Sequence, residues 1–208
     1  MALLQLAEIR VYTADAEVAV QLLRQATALL PPGEAAARVR VCAGLGQALV
    51  QLGKYGEARE AVSQVLETAR QLDRQTERMC LEVLGRAAFG LGDVQTALDF
   101  AEQAVALNRA TRHPIFEAAS LTDTAVALCH LGRAEEATAR HAEAIRILER
   151  AGEPHRMVRS LLPYAEACLA TGDRDAAARH FQAALEIARA HGVHYLVPMA
   201  FSGLARVS

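Results

Sequence analysis

Apolar and small residues recur along this chain with a period of about 40 residues, in blocks long enough for helices. Each period contains a short turn, found as Leu52-Gly53, Leu91-Gly92, Leu131-Gly132 and Thr171-Gly172. The four turns are separated by 39, 40 and 40 residues. A degenerate first copy without the glycine lies around Ala14, which makes five copies. An internal period of this size indicates a repeat architecture built from one supersecondary unit.

Small side chains keep constant distances from these turns. Five residues after each turn the residue is always alanine, at Ala19, Ala58, Ala97, Ala137 and Ala177. Seven residues later come Ala26, Val65, Ala104, Ala144 and Ala184. Seven residues before each turn come Ala7, Gly46, Gly85, Ala125 and Ala165. Small residues at fixed places favour close approach of two helices, and alanine is the best helix former. The pattern therefore predicts two antiparallel helices per copy.

The residues around each turn predict where the helices end. Glycine can end the first helix in a left-handed conformation that other residues adopt at a cost. Asp15, Asp93 and Asp173 follow the turn and are predicted to cap the second helix, whereas Lys54 and Arg133 are weaker caps. The predicted first helices are 2–12, 34–52, 75–91, 115–131 and 155–170, and the second helices are 15–30, 55–72, 94–110, 134–150 and 174–190.

Prolines mark the boundaries between copies. Pro114 and Pro154 stand where a first helix should begin, because the first turn of a helix needs no N–H from that residue. Pro163 falls inside a predicted first helix and predicts a kink there. The predicted copies are 1–31, 34–73, 75–112, 114–152 and 154–191, followed by a terminal helix at 194–207.

The spacing of bulky and small residues resembles the tetratricopeptide repeat. Copy two carries the resemblance best, with Leu45-Gly46, Leu49, Gly53, Tyr55 and Ala58. Copies three and five keep part of the pattern, and copy four departs most. The resemblance implies an all-α fold, a right-handed superhelical solenoid of five helix pairs plus a C-terminal helix, in a single domain over residues 1–208.

The period is longer than the common tetratricopeptide repeat of about 34 residues. Repeats of this length are similar to those of large bacterial ATP-dependent transcriptional regulators of the maltose-regulator type, of antibiotic-pathway regulators and of kinesin light chains. The first two are the preferred relatives. This implies a non-catalytic protein- or peptide-binding scaffold, within a larger bacterial regulatory protein. Two alternatives stay open: a small-effector sensor domain of a multidomain ATP-dependent transcriptional regulator, and a self-association module.

In the tetratricopeptide superhelix the first helices line a concave groove, and the faces not used for packing contact the partner. Carried over copy by copy, this nominates Glu8, Arg40, Gln47, Gln51, Glu82, Arg86, Phe89, Thr122, Val126, His130, Arg159, Leu162, Glu166 and Leu169. The Lys and Asn clamp of the members that bind a C-terminal carboxylate is missing at the matching positions. Arg40, Arg86 and Arg159 could still hold acidic groups, because arginine suits bidentate contacts with carboxylates.

Composition and charge narrow the function further. The net charge of −2 over 208 residues gives no positive field for nucleic acid. No run of 18 apolar residues suits a membrane span, and the N-terminus lacks the pattern of a signal peptide, so a cytoplasmic location is expected. The four cysteines stand far apart without a C-x-x-C pair, which is typical of small buried residues in a reducing compartment.

No motif in the sequence supports catalysis. His191 and His194 form the closest histidine pair, but they lack a third ligand and suit a turn equally well. Lys54 is not preceded by the glycine spacing of a phosphate loop. No serine, cysteine or histidine occupies a strand-to-helix elbow. The expectation is a protein that is not an enzyme and uses no cofactor and no metal.

The segment after Gly192 aligns with the first helix of copy five at an offset of 40 residues. Phe201, Leu204 and Ala205 then match Leu161, Tyr164 and Ala165. This predicts a sixth first helix without its second helix. Since solenoid caps normally expose a polar face, the apolar segment suggests a fragment of a longer chain or an end covered by self-association.

Overall fold

The computed structural model describes residues 16–31 and 33–207. These residues form helices and no strand. The α-helices, in chain order, are α1 (Ala16–Leu29), α2 (Ala35–Gln51), α3 (Tyr55–Ser63), α4 (Leu66–Leu72), α5 (Arg74–Gly90), α6 (Val94–Ala110), α7 (Pro114–His130), α8 (Ala134–Ala151), α9 (Pro154–Ala170), α10 (Arg174–Ala190) and α11 (Val197–Val207). A short 3-10 turn over His194–Leu196 precedes α11. The predicted all-α fold of repeated helix pairs is confirmed. The predicted helix 2–12, with Ala7, Glu8 and Asp15, lies outside the described residues.

The second helix of copy two differs from the prediction, because it is broken into α3 and α4. Val65 lies at the break with φ −114° and ψ −3°, and its N–H donates to the carbonyl of Val62 at 3.1 Å. Val65 is buried where the other copies have alanine. A branched side chain at this tight crossing is the local difference that accompanies the break, since β-branched residues lower helix propensity.

The predicted helix ends are confirmed in the four complete turns. Gly53, Gly92, Gly132 and Gly172 have φ between 71° and 91°, in the left-handed region. Beyond each glycine, the next N–H bonds back to a carbonyl in the last turn of the first helix, as Asp173 does to Cys168 at 2.9 Å. These bonds satisfy carbonyl groups that the helix end would leave unpaired.

Aspartates cap the helices as the sequence predicts. Asp93 accepts a hydrogen bond from the N–H of Thr96 at 3.2 Å, and Asp173 accepts one from Ala176 at 2.9 Å. Lys54 and Arg133 form no side-chain cap bond, which also agrees with the prediction. A further cap was missed, because Asp73 accepts from the N–H of Thr76 at 2.9 Å at the start of α5.

We expect Asp173→Ala to lower the free energy of unfolding by about 1 kcal/mol, because the first turn of α10 loses its side-chain acceptor. Asp175→Ala is the matched control, since Asp175 lies in the same turn without capping it. It should cost only a few tenths of a kcal/mol through the helix dipole. Urea denaturation followed by circular dichroism measures both. Equal losses would show that the cap of α10 contributes nothing specific.

The chain divides into two compact units, Met1–Leu107 and Asn108–Ser208, and the boundary falls near the end of α6. In the first unit, α2 packs on α3 and α5, around a core that includes Leu23, Val39, Leu49, Val62 and Leu84. In the second unit, α7 packs on α8 and α9, and α9 packs on α10 and α11. The buried residues there include Leu121, Leu128, Leu148, Val158 and Phe181.

The period of small residues is confirmed as the packing device. The alanines that follow the turns are all buried, namely Ala19, Ala58, Ala97, Ala137 and Ala177. At Gly46 and Gly85 a Cβ atom would lie 3.6 Å from the carbonyl oxygens of Ala58 and Ala97. The two helices of a copy therefore cross with their backbones in near contact. The helix α9 continues through Pro163, and the kink predicted there stays a prediction.

Candidate functional site

Within each unit, successive first helices lie side by side. In the first unit these are α2 and α5, and in the second unit they are α7, α9 and α11. Side chains on the same turns of neighbouring first helices therefore form a strip on each unit. These two strips are the candidate partner-binding surface, and each is described by itself.

In the first unit the strip is mixed in charge. Arg40 and Gln51 on α2 are exposed, and Gln47 between them is half-buried. Glu82, Arg86 and Phe89 on α5 are all half-buried. Arg78 binds Glu82 with 2.6 Å between Nη1 and Oε1, so part of this carboxylate is already engaged. The hydrogen bonds from Thr76 lower the pKa of Asp73, and the nearby Arg40 guanidinium lowers it further.

In the second unit the strip combines charged and apolar side chains. His130 and Arg159 are exposed, and Val126, Glu166 and Leu169 are half-buried. Arg206 of α11 donates to both carboxylate oxygens of Glu166 at 2.8 Å. The prediction nominated Glu166 as a groove residue, but the sequence did not indicate that Arg206 would hold it. Bidentate pairs of this kind fix the orientation of both side chains.

Thr122 and Leu162 differ from the expectation that they are offered to a partner. Both are buried, and they occupy the same position in copies four and five. The equivalent Ala43 is buried as well, and only Glu82 at this position is half-buried. The physical reason is that this turn of a first helix faces the adjacent first helix. The two residues therefore belong to the packing between copies.

A chain of buried hydrogen bonds crosses from α8 to α7. Thr122 donates its hydroxyl proton to the carbonyl of Ala118 at 3.0 Å. The hydroxyls of Thr122 and Ser160 lie 2.6 Å apart, so Ser160 is the donor in that bond. The Nε2 atom of His141 lies 3.4 Å from the Ser160 oxygen and must then donate to it. The chain therefore assigns the proton of a neutral His141 to Nε2.

The His141 ring is part of an aromatic cluster. It stacks on Tyr164 with 4.0 Å between centroids and meets His180 edge-on at 5.1 Å. Burial lowers the pKa of His141 to about 3, and the charge of the neighbouring His180 adds to this, while the Ser160 hydrogen bond opposes it. Burial also lowers the pKa of His180. The sequence gave only a departure from the family pattern at His141 as a signal.

The cysteines lie in places that their wide spacing in sequence did not indicate. All four are free thiols, and Cys80, Cys129 and Cys168 are buried. Cys129 and Cys168, on the adjacent helices α7 and α9, are hydrogen-bonded to each other, which raises the pKa of Cys168. Burial raises the pKa of Cys80 to about 12. The buried thiols are therefore held in the protonated form.

The described residues contain no group of three His, Cys, Asp or Glu side chains that could hold a metal ion. Of the helices assigned above, none combines the length and the apolar character that a membrane span requires.

Three solved structures are similar to this chain. The nearly identical tetratricopeptide-like repeats of a Podosopora anserina kinesin light chain match with a TM-score of 0.66 and 26% identity, covering 91% of this chain and 95% of that one. A Signal Transduction ATPase with Numerous Domains from Pyrococcus horikoshii, which has a tetratricopeptide repeat sensor, matches with a TM-score of 0.72 and 18% identity, covering 99% of this chain and 32% of that one. A Rap protein complexed with Competence and Sporulation Factor matches with a TM-score of 0.67 and 15% identity, covering 99% and 62%. No curated protein matches the sequence at a significant level.

A family comparison assigns the repeats directly. The family described as tetratricopeptide repeat matches residues 35–110 and 116–190. These stretches hold copies two to five, with the glycine turns and the buried alanines described above. Together they cover more than half of the sequence, and the chain belongs to the tetratricopeptide repeat family.

Proposed function

We propose that this chain is a non-catalytic scaffold that binds a protein or peptide segment on the strips of its first helices. The observation that carries the proposal is the pairing of neighbouring first helices within each unit, which leaves charged and apolar side chains together on one surface. A surface built from packed helices is formed before the partner arrives, so little conformational entropy is lost on binding.

Arginine is the residue on these strips best suited to a specific contact. Arg159 is exposed in the second unit, on the same helix as the half-buried Leu169. Its guanidinium can bind a carboxylate with two parallel hydrogen bonds, and apolar neighbours can receive an adjacent side chain of the partner. Arg40 has the corresponding place on α2 in the first unit. The partner segment is therefore expected to carry acidic and apolar residues.

We further propose that the scaffold is a cytoplasmic module of a larger bacterial regulatory protein. The similarity to a multidomain ATPase with a tetratricopeptide repeat sensor supports this context, since this chain spans 32% of that protein. The same similarity favours the alternative of a sensor domain that binds a small effector. The two functions differ in the ligand that occupies the strips. Self-association through terminal helices is a third use of the same fold.

Peptide selection tests the proposed surface. The probe is a displayed library of random 15-residue peptides, and affinities of the selected peptides are measured by fluorescence anisotropy. Arg159→Glu should weaken binding at least about tenfold, because a bidentate pair is replaced by repulsion between like charges. The matched control is Arg150→Glu, which reverses the charge of an exposed arginine on the second helix α8.

Selected peptides that lose affinity equally in the two variants would place the contact elsewhere, and a library that yields no binder would argue against a peptide scaffold. Should a small effector be the ligand, metabolite pools would shift the melting temperature of the wild type while no peptide is selected. Sedimentation velocity across a range of concentrations separates self-association from both.

A further inference from the structure

One side of α11 is firmly docked on the copy before it. Ala200, Gly203 and Leu196 are buried, and α11 packs on both α9 and α10. A Cβ atom added at Gly203 would overlap the ring of Phe181, so the helix lies directly on that side chain. The helix α11 thus occupies the place of a first helix in a sixth copy, as the alignment predicts.

The other side of α11 is open, although it carries the residues that form an interface in earlier copies. Phe201 is 48% exposed, Ala205 is exposed and Leu204 is half-buried. The three equivalent residues of copy five are Leu161, Tyr164 and Ala165, with 5%, 2% and 0% exposure. We name the surface formed by Phe201, Leu204 and Ala205 the end face. It continues the interface that each first helix makes with its second helix.

The preceding copy shows what chemistry fits this face. There, α10 covers the surface of α9, and Ala177 is buried at the crossing together with Ala165. On the same side of α10, Phe181, Ala184 and Leu185 are also buried. An occupant of the end face therefore needs a small residue opposite Ala205 and an apolar stripe at helical spacing, because larger residues would hold the two helices apart.

Charged groups at the border of the end face are basic. The Arg189 guanidinium lies over the ring of Phe201, 5.0 Å from its centroid. Arg174 donates to the carbonyl of Arg206 at 3.1 Å, near the C-terminal end of α11. Arg206 is neutralised by Glu166, whereas Arg174 and Arg189 add positive charge. Asp173, Asp175 and Glu186 are the acidic groups of the same repeat turn and of α10. An acidic helix would be attracted to Arg189 at the exposed ring.

We propose that the end face is a docking surface for an amphipathic helix of a partner protein, one with a small residue at the crossing and acidic residues beside its apolar stripe. This surface is separate from the strips of the first helices, so it stands whether or not the proposed function is correct. The partner helix would sit on α11 as α10 sits on α9.

The test uses the whole chain and two labelled synthetic peptides. The first has the sequence of Arg174–Ala190, and in the second the three arginines at 174, 179 and 189 are replaced by glutamate. In fluorescence anisotropy titrations, the acidic peptide should bind saturably below about 1 mM and at least fivefold more tightly than the unmodified peptide. Phe201→Glu should weaken this binding at least tenfold, and Arg189→Glu should remove the preference for the acidic peptide.

Met199→Glu is the matched control, since Met199 is 56% exposed on α11 but points away from Phe201 and Ala205 at 100° per residue. It should leave the affinity unchanged. Absence of saturable binding by either peptide, or equal losses in the Phe201 and Met199 variants, would overturn the proposal. A dimer of the wild type in sedimentation velocity that Phe201→Glu converts to a monomer would assign the end face to a second copy and overturn it as well.

Discussion

Phe181→Ala is expected to lower the free energy of unfolding by about 3–5 kcal/mol. Phe181 is the largest of the fully buried side chains, with 1% exposure. It lies between α10 and α11, against Gly203, where no side chain of the neighbour could move in to fill the space. The loss therefore combines the transfer of the ring to water with a cavity that the surrounding helices cannot close.

Phe201→Ala gives the matched comparison, because it removes the same atoms from the same region of the second unit. With nearly half of Phe201 exposed, its truncation should cost only about 1 kcal/mol. Urea denaturation monitored by circular dichroism provides both values. Similar losses in the two variants would mean that α11 does not hold Phe181 as described, and would weaken the assignment of α11 as a first helix.

The second large effect is a loss of stability in mild acid that depends on His141. The pKa of His141 is about 3 in the folded chain, well below the unfolded value of about 6.5. The unfolded chain therefore binds the proton first, and stability that is complete above about pH 6.5 is lost progressively as the pH falls toward 3. Between pH 6.5 and pH 5 this single group should remove about 2 kcal/mol.

His141→Phe separates this effect from the titration of carboxylates. Copy five has Phe181 at the equivalent position, so phenylalanine is compatible with the site. The variant should unfold with a flatter pH dependence than the wild type between pH 7.5 and pH 5. The exposed His113 supplies the control, and His113→Phe should keep the wild-type slope. Parallel curves for wild type and His141→Phe would show that His141 is protonated without cost in the folded chain.

Much of the fold could be predicted because its signals are local. A glycine that must adopt a positive φ, as Gly132 does, has a sequence signature that other residues rarely share. An aspartate after it, such as Asp173, caps the next helix through a bond within three residues. The break at Val65 could not be predicted, because a valine in place of an alanine still fits the apolar period.

The candidate surface was harder to predict, since exposure depends on residues one copy away. Thr122 reads as a polar groove residue until Ser160, 38 residues later, is found hydrogen-bonded to it. Glu166 reads as an available carboxylate, but Arg206, 40 residues later, holds both of its oxygens. Pairings across copies depend on how far neighbouring helices slide and rotate, and the repeat pattern does not encode this directly.

The buried chain from His141 through Ser160 to Thr122 has a consequence for how copies four and five are aligned. Apolar contacts between α7 and α9 would tolerate a small axial shift, because any methyl group can replace another. Hydroxyl and imidazole groups cannot, since a shift would separate Ser160 from both partners and leave unpaired polar atoms at a cost of about 1–3 kcal/mol each. The polar atoms thus act as a key that admits only one alignment of the two copies, and an otherwise featureless alanine-rich joint acquires a unique setting.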